Sequence, residues 1–401
     1  MTRPHVPNHN PELERDLLAA VAHVRPIAEA HARESELAAT LHPAVVDALE
    51  RERLFLLAAP SELGGRDASG ETQLAVFEAM AHADPSAGWA LMIGAILNGM
   101  LGAYLPDATA RAIFAGRSKA AAGLQVPMGS ARRVTGGYRV SGRWGFGSGI
   151  RHADWVFTAA MVEDTGVPGP PCFVHLAIPA SEVTVESTWD TAFLRGSGSE
   201  HYRVEDLFVD EAHTCPYPHG ARLRGSSFLN LPFVALVAPG HLGFALGVAQ
   251  RALDEVAALA PKRFMAWPGE PLAAQQSFRL ELGRQHMALQ AARALSREVV
   301  ARLSERMAAG QALTPDDWSM ARAGMAYVTE AAAAITTFAF RAGGASALYA
   351  GAGSALERCF RDIHAATQHI AATSDGYEYA GRVQLGEVPF HPMLMARAAA
   401  Q

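Results

Sequence analysis

The sequence predicts a mostly helical protein with a central β-domain. Three stretches with different patterns of apolar residues indicate helices first, then strands, then helices again. Apolar residues recur at three- and four-residue spacing in 11–60, short runs of alternating apolar and polar residues fill about 119–212, and long Ala-rich helical segments follow Pro239. Strands do not alternate with helices, which argues against a doubly wound parallel sheet.

We therefore predict three domains: a helical domain over 1–118, an antiparallel β-barrel or sandwich-like domain over 119–225, and a four-helix bundle over 226–401. Gly-Gly and Pro-Gly turns separate the predicted strands, as in antiparallel sheets. Residues 89–105 are nearly all apolar, so they are predicted to form a buried helix and not a surface one.

Composition excludes several classes of protein. The chain has 401 residues, of which 50% are hydrophobic and 18% charged, so it can bury a large core. A net charge of -6 without a basic stripe argues against a nucleic-acid partner. Three cysteines outside any CxxC spacing suit reduced thiols, and we predict neither a secretory signal nor a membrane span, so we expect a cytoplasmic protein.

The run SGRWGFGSGIRHADWVF, residues 141–157, is too rich in glycine for a helix. Its GxGxG pattern is not a dinucleotide fingerprint, because a strand-like run follows where that fingerprint needs a helix. The same strand rules out the nucleophile elbow of serine hydrolases. Two interpretations stay open: a tight turn with Trp144 and Trp155 in the core, or a surface where Trp144 covers a flat ligand and Ser148 donates a hydrogen bond to it.

Two further runs carry candidate site residues. In RCFRDIHAATQHI, His364 and His369 are five residues apart, roughly 140° around a helix, so they do not form a metal-binding pair and no metal site is predicted. A histidine here is either structural or a general base or hydrogen-bond donor beside a ligand. The glycines of 341–356 form either a helix-helix turn or a place where a phosphate approaches backbone amides.

Three motifs in order along the chain resemble those of acyl-CoA dehydrogenase-like proteins: GRWGFGSGIRHADW, LRGSGSEHYRVEDLFVD, and RDIHAATQH before AGRVQLG. The resemblance extends from about residue 15 to 388. It implies an N-terminal helical domain, a middle β-domain and a C-terminal four-helix bundle, the order that the texture of the chain predicts independently.

The catalytic base of the acyl-CoA dehydrogenases is missing from its expected places. In most of them a glutamate in a Tyr-Glu-Gly-Thr motif follows an Arg-Asp pair. Laid on Arg361 and Asp362, this motif puts His369 at the tyrosine and Ile370 at the glutamate, and isoleucine cannot take a proton. Residues 226–239, where a few relatives carry the base, contain no carboxylate. Dehydrogenation of an acyl thioester is therefore the weaker interpretation.

The chain is more similar to the other branch of the superfamily, the flavin-dependent monooxygenases that receive reduced flavin from a separate reductase. Their W-x-F-x-S-G pattern occurs as Trp144, Phe146, Ser148 and Gly149, and their histidine eight residues after the Arg of Arg-Asp is His369. Within this branch the chain resembles indole-3-acetate monooxygenase-like proteins. The resemblance implies that reduced FMN or FAD and O2 hydroxylate a small aromatic or heteroaromatic substrate, with indoles among the candidates, through a C4a-(hydro)peroxyflavin.

The resemblance also implies roles for individual residues. Ser148 would hydrogen-bond flavin N5, and His369 would face the oxygen adduct or the substrate. The remaining flavin contacts would be Trp144, Gly147 and the backbone from Leu124 to Gly129 around the ring, and Arg263, Gly344 and Ser346 on the phosphate side, partly across the interface of a homotetramer.

One departure from the aromatic hydroxylases concerns the buried N-terminal helix. Many of them carry His-Asn there, whereas this chain has Leu97 and Asn98. We therefore predict an electron-rich ring that needs no deprotonation, with Asn98 as a polar contact. Two alternatives stay open: an acyl-CoA-oxidising flavoprotein whose base is Glu378 or Glu387, and a catalytically inactive structural partner.

Overall fold

The computed structural model describes residues 9–163, 172–217, 221–264, 269–349 and 355–387. Helices come first, strands follow, and helices return, as the sequence predicts. The first helices are α1 Pro11–Ala38, α2 Pro43–Arg51, α3 Gly70–Ala83, α4 Pro85–Tyr104 and α5 Asp107–Phe114. The strands are β1 Ala120–Ala122, β2 Gly129–Val134, β3 Gly137–Gly147, β4 Ala153–Glu163, β5 Phe173–Pro179, β6 Thr184–Glu186, β7 Glu200–Asp210 and β8 Thr214–Tyr217. The later helices are α6 Phe233–Leu236, α7 Ala238–Leu259, α8 Gln276–Ala308, α9 Pro315–Gly343, α10 Leu356–Ala366 and α11 Asp375–Gln384.

Helix α4 begins sharply because two neighbouring residues favour a helix start. The Asp84 side chain accepts the backbone N–H of Ala87 at 2.8 Å, and Pro85 occupies the first helical position. Nearly every residue of α4 is buried, which agrees with the predicted core helix. This start fixes the position of Trp89 one turn later.

Two stretches are long and apolar enough, by length and composition alone, to cross a membrane. They are Pro85–Tyr104 and Phe233–Leu259, and the first lies in a charge-free run. In the fold, 94% of the most apolar window of the first and 89% of that of the second are buried inside the protein. Both stretches therefore serve as core helices here.

The eight strands form one sheet in the order β6-β7-β3-β2-β4-β5-β8, with β1 beside β4. Most pairs are antiparallel, but β1 and β2 each run parallel to β4, so the sheet is mixed and not purely antiparallel. The cause is that β7 occupies the other side of β3. After β3 the chain must pass to the far side of β2, where β4 runs in the direction of β2.

Helix α7 packs against α3 with almost no side chain between them. A Cβ on Gly243 would lie 2.7 Å from the carbonyl oxygen of Leu74, and one on Gly247 would overlap that of Glu78. Only glycine allows this backbone approach. One hydrophobic core joins the early helices to the late ones, and a second fills the sheet. The proposed domain boundaries at 118 and 225 stay predictions.

Candidate active site

The ends of β3 and β7 bring three serines into a row. Gly147 pairs with Glu200 at the edge of the two strands, and this pairing puts Ser148 next to Ser199. The two hydroxyl oxygens are 2.7 Å apart, and the Ser199 oxygen is 2.8 Å from that of Ser197. All three serines are buried.

Trp89 connects this row to the helical part of the fold. Its indole N–H donates to the Ser148 oxygen at 3.1 Å. The same indole lies edge-on to the rings of His241, His369 and Phe244, with centroid distances of 5.6, 5.7 and 5.1 Å. The structure therefore brings Ser148 and His369, the two predicted catalytic residues, to one wall around Trp89.

His369 lies just beyond α10 and caps a short 3-10 turn. Its Nδ1 accepts the backbone N–H of Ala371 at 3.2 Å. A nitrogen that accepts cannot carry the proton, so the neutral ring holds its proton on Nε2. His369 therefore presents Nε2 as a hydrogen-bond donor.

His241, in the first turn of α7, is a second imidazole that the sequence prediction missed. Its ring centroid is 4.2 Å from that of His369, and the two planes are tilted by 38°. His241 is almost fully buried, and its Nε2 has no hydrogen-bond partner within the described part of the chain. A single histidine in an apolar helix forms no spaced motif that sequence analysis could recognise. Only the fold shows that the rings of His241 and His369 are in contact.

Both imidazoles are neutral at neutral pH. Burial lowers the pKa of His369 to about 4. Burial, with a smaller contribution from the neighbouring His369, lowers the pKa of His241 well below its ordinary value. This wall can therefore donate, accept and hold protons, but it presents no positive charge.

A third histidine, His152, follows Ser148 in the turn after β3. Burial lowers its pKa to about 4, and neither ring nitrogen has a partner among the described residues. Its ring lies 5.9 Å from that of Phe55. These two nitrogens without partners could form hydrogen bonds to a bound ligand.

The flavin implied by the resemblance can be tested against these unsatisfied groups. Buried polar atoms without partners include Nε2 of His241, both nitrogens of His152 and the side-chain oxygen of Gln125, which lies in the segment predicted to contact the ring. A flavin ring has carbonyl and nitrogen groups along one edge and apolar faces. The donors and acceptors at this site fit such a ring.

Leu124 and Gly147 meet through Tyr202. The backbone N–H of Leu124 donates to the Tyr202 hydroxyl at 2.9 Å, and a Cβ on Gly147 would lie 3.0 Å from the Tyr202 ring. Gly129 serves another purpose, because a Cβ there would overlap the Trp144 ring. Gly147 thus directly precedes Ser148, Leu124 is joined to Gly147 through Tyr202, and Gly129 makes room for a core tryptophan.

Trp144 has no exposed face for a ligand. The side chain is 0% exposed, its indole N–H donates to the carbonyl oxygen of Ala159 at 2.9 Å, and the ring stacks on Tyr202 at 5.5 Å. The predicted role of Trp144 as the cover of a flat ligand is therefore contradicted. The alternative interpretation of Trp144 as a core residue describes its position.

The exposed aromatic ring of this run is Phe146. It is 63% exposed and has a φ of +58°, in an irregularity of the β3–β7 pairing between Trp144 and Gly147. Simple alternation predicts that Phe146 points inward with Trp144, but the bulge turns it outward. Phe146 is part of the W-x-F-x-S-G pattern, so the sequence does single it out. Its outward orientation could not be predicted, because alternation gives the wrong face at a bulge.

Arg263 and the turn at Gly344 come together, as predicted. The guanidinium donates to the carbonyl oxygen of Ala342, and a Cβ on Gly344 would overlap it. The Ser346 hydroxyl donates to the backbone of the same turn at 2.9 Å. This group follows the far end of α7, and the helix separates it from His241 by roughly 27 Å.

The structure contradicts the prediction that Asn98 is a polar contact for the substrate. Its amide nitrogen donates to the carbonyl oxygens of Phe55 and Lys119 at 2.8 and 2.9 Å, and its oxygen accepts from Arg117 at 2.6 Å. The amide is satisfied by the protein itself, because it ties three segments together. Leu97 is buried in the core.

Ile93, one turn after Trp89, is the residue of α4 that the fold leaves partly exposed. Helical spacing puts residues four apart on the same face, so Ile93 lies on the Trp89 side. It is a better candidate for substrate contact than Leu97.

The two glutamates considered as relocated bases lie outside the site. Glu378 and Glu387 are exposed, and their oxygens are 3.8 and 2.7 Å from the same Arg382 nitrogen. Neither is an unpaired carboxylate beside the histidines. The geometry therefore counts against the dehydrogenase alternative.

His31, Glu34 and His42 form a cluster that the sequence prediction did not single out. One ligand atom from each lies within 4.8 Å of the others. The two imidazoles stack in parallel 4.0 Å apart, and Nδ1 of His31 lies 2.5 Å from the Glu34 carboxylate. In parallel stacked rings the nitrogen lone pairs do not converge on one point, so the hydrogen bond and stacking account for the cluster.

Comparison with known proteins supports the resemblance. A family model described as "Acyl-CoA dehydrogenase, C-terminal domain" matches residues 240–374. Indole-3-acetate monooxygenase from Pseudomonas putida is 28% identical over 86% of this chain and 87% of its own length. The oxygenase component of FADH(2)-dependent resorcinol hydroxylase from a Rhizobium species is 25% identical over 93% and 92%. The solved structure of XiaF from a Streptomyces species, in complex with FADH2 and glycerol, has a TM-score of 0.86 at 24% identity and covers 95% of this chain and 98% of its own.

In fold and in its relatives this chain is similar to acyl-CoA dehydrogenase-like proteins, and the predicted fold class is confirmed. Its curated relatives are named as flavin-dependent monooxygenases and hydroxylases and not as dehydrogenases. Among the named relatives the chain is thus similar to flavin-dependent monooxygenases, the branch that the missing glutamate and His369 favour.

Proposed function

We propose that this chain is the oxygenase component of a two-component monooxygenase that hydroxylates a small aromatic or heteroaromatic ring, with indoles as the first substrates to test. The observation that carries the proposal is the wall of Trp89, Ser148, His241 and His369. It contains no carboxylate base for dehydrogenation, and its imidazoles are neutral hydrogen-bonding groups. Two relatives, named as an indole-3-acetate monooxygenase and as the oxygenase component of an FADH(2)-dependent resorcinol hydroxylase, support the same class.

The residues around Ser148 would hold the flavin ring. Ser148 would donate to N5, the backbone from Leu124 would meet the polar edge, and exposed Phe146 would cover a face in place of buried Trp144. Reduced FMN or FAD, when bound, supplies the reaction with electrons for the activation of O2. The protein contributes orientation and the exclusion of water.

His369 would handle the proton at its Nε2. The bond from the Ala371 backbone to Nδ1 fixes the ring and leaves Nε2–H as the donor. With its proton on Nε2, this neutral imidazole can donate to a developing oxyanion, and only after giving up that proton can Nε2 take one from a ring hydroxyl. Trp89 and Ile93 provide apolar walls on the same side.

The two ends of α7 suggest how subunits share a cofactor. Roughly 27 Å of helix separates His241 from the group formed by Arg263, Gly344 and Ser346, too far for one flavin ring to touch both. We propose that this group holds the phosphate side of a flavin whose ring lies in a partner subunit of a homotetramer. A separate flavin reductase would supply the reduced cofactor, and we propose a cytoplasmic enzyme that binds neither nucleic acid nor membrane.

One experiment tests the proposed function. The purified chain is mixed anaerobically with chemically reduced FMN or FAD and an indole, oxygen is added, and hydroxylated product and H2O2 are both quantified. We expect product in excess of H2O2. Reduction of bound flavin by an acyl-CoA would support the dehydrogenase instead, and failure to bind either flavin would support the inactive structural partner.

A further inference from the structure

The row of three serines has one hydroxyl proton more than its internal bonds can use. Ser148, Ser199 and Ser197 share two oxygen-oxygen contacts, of 2.7 and 2.8 Å, and each contact uses one proton. The three hydroxyls carry three protons. Whatever the direction of the bonds, one proton is left without an acceptor within the row.

The Trp89 indole restricts the possible directions. An indole nitrogen is only a donor, so Ser148 must accept from it with one of its two lone pairs. If Ser199 also donates to Ser148, both lone pairs are occupied, and the spare proton belongs to Ser148. If Ser148 donates to Ser199, the spare proton belongs to Ser199 or Ser197.

Burial decides between these directions. Ser197 is 0% exposed and Ser199 is 2% exposed, and neither has another acceptor within the described residues. A buried donor left unsatisfied is costly. Ser148, 5% exposed, is the member beside the proposed flavin ring, so its spare proton is the one that a bound ligand can accept.

We propose that Ser197 and Ser199 are positioning residues that fix Ser148 as a hydrogen-bond donor toward the flavin. Ser197 donates to Ser199, and Ser199 donates to Ser148. The Trp89 indole N–H donates to the second lone pair of the Ser148 oxygen. The inference rests on the proposed function, because it assigns the spare proton to a flavin acceptor. It also assigns a role to Ser197 and Ser199 of the motif LRGSGSEHYRVEDLFVD, for which the proposed function has no role.

The backbone holds the row in this arrangement. The Gly149 N–H donates to the carbonyl oxygen of Ser197 at 2.9 Å, which ties the turn after β3 to the segment before β7. At the other end of that segment, the Leu194 N–H donates to the buried carboxyl of Asp362 at 2.6 Å. Gly198, with a φ of +55°, makes the bend between Ser197 and Ser199.

The test is a double-mutant cycle read out by flavin affinity. The dissociation constants of FMN and FAD are measured by fluorescence for the wild type, Ser148→Ala, Ser199→Ala and the double variant. We expect Ser199→Ala to weaken binding about threefold to tenfold in the flavin that the wild type prefers. The double variant should be no weaker than Ser148→Ala alone, because Ser199 acts through Ser148.

Ser86→Ala is the matched control. Ser86 is buried against Gly196 of the same segment, but its hydroxyl lies outside the row. Its replacement should leave flavin affinity unchanged, and thermal unfolding of all variants separates misfolding from a local effect. Ser197→Ala should weaken binding in the same direction by a smaller factor, which gives a second reading if Ser199→Ala is unstable.

The outcomes separate the inference from the function on which it rests. Unchanged or tighter binding in Ser199→Ala would overturn the donor direction, as would additive losses in the double variant. A wild type that binds flavin but forms no product would contradict the proposed function. The double-mutant cycle would still test the role of the serines, because it measures flavin affinity and not product. Absence of flavin binding in the wild type would overturn both.

In turnover, the same variants should change the fate of oxygen. If Ser148 donates to the flavin, the fraction of O2 released as H2O2 should rise about equally in Ser148→Ala and Ser199→Ala, and not in Ser86→Ala. A rise in Ser148→Ala alone would count against the row.

Discussion

Helix α10 and the turn after it connect two regions of opposite electrostatic character. On α10, Arg361 lies 2.6 Å from both Glu36 and Glu357, and Arg358 lies 3.5 Å from Asp84. A few residues later, the wall at His369 contains neutral imidazoles and an indole. The first region uses charge to join α10 to the N-terminal helices, and the second excludes charge so that protons can be held at single atoms.

The largest expected effect comes from breaking the charged region. Among the described residues, Arg361→Ala leaves Glu36, whose side chain is 3% exposed, with only the half-exposed Arg33 as an ion-pair partner, at 3.5 Å. We expect the free energy of unfolding to fall by about 3 kcal/mol, because a buried carboxylate loses its main partner. Urea unfolding measures the change.

Arg382→Ala provides the control for this prediction. Its partners Glu378 and Glu387 are exposed, so we expect a much smaller loss than in Arg361→Ala. Equal losses in the two variants would show that α10 is not anchored by its buried ion pairs.

The next effect concerns the neutral region. His369→Asn removes the Nε2 proton from the wall, and we expect product formation to fall about 100-fold if this imidazole is the acid-base group. Flavin affinity should change little. Rapid-quench measurement of a single turnover with reduced flavin separates the two quantities.

His364→Asn is matched to it in residue type and segment. His364 lies on α10 with its Nδ1 2.5 Å from the carbonyl oxygen of Phe360, away from the wall. We expect less than about a twofold change in turnover, in keeping with a surface substitution. A loss of turnover as large as that of His369→Asn would remove His369 from its proposed role.

The last prediction concerns two opposite pH dependences of stability. Burial raises the pKa of Asp362 from 3.8 to about 7, so between these values the folded protein binds a proton that the unfolded chain has lost, and stability falls as pH rises. Burial lowers the pKa of His369 from 6.5 to about 4, so the unfolded chain binds the extra proton and stability rises with pH.

Asp362→Asn and His369→Gln should therefore change the pH dependence of stability in opposite directions between about pH 4 and 6.5. The first variant should make stability rise more steeply with pH, and the second should make it rise less. Urea unfolding at a series of pH values measures both slopes. Slopes that shift in the same direction would contradict the contrast between the two regions.

The sequence predicts the fold class and the convergence of Ser148 with His369 because both follow from long patterns. Helical periodicity, strand alternation and widely spaced motifs average over many residues. The absence of a carboxylate at Ile370 is also visible without a structure.

Local geometry explains what the sequence does not predict. A single bulge turns Phe146 outward, although simple alternation places it on the same face as the buried Trp144. The sequence gives no sign that the Asn98 amide is hydrogen-bonded within the protein. Its partners come from distant segments that only the fold brings together. His241 has no neighbour in the sequence that indicates its contact with His369.

The glycine contact between α7 and α3 bears on how this site can change. Because Gly243 and Gly247 face carbonyl oxygens of α3, main-chain atoms set the distance between the helices. Main-chain atoms are the same in every residue, so replacement of pocket side chains such as Ile93 does not shift α7. Redesign of the pocket for a larger or smaller ring can therefore proceed with His241 held in place.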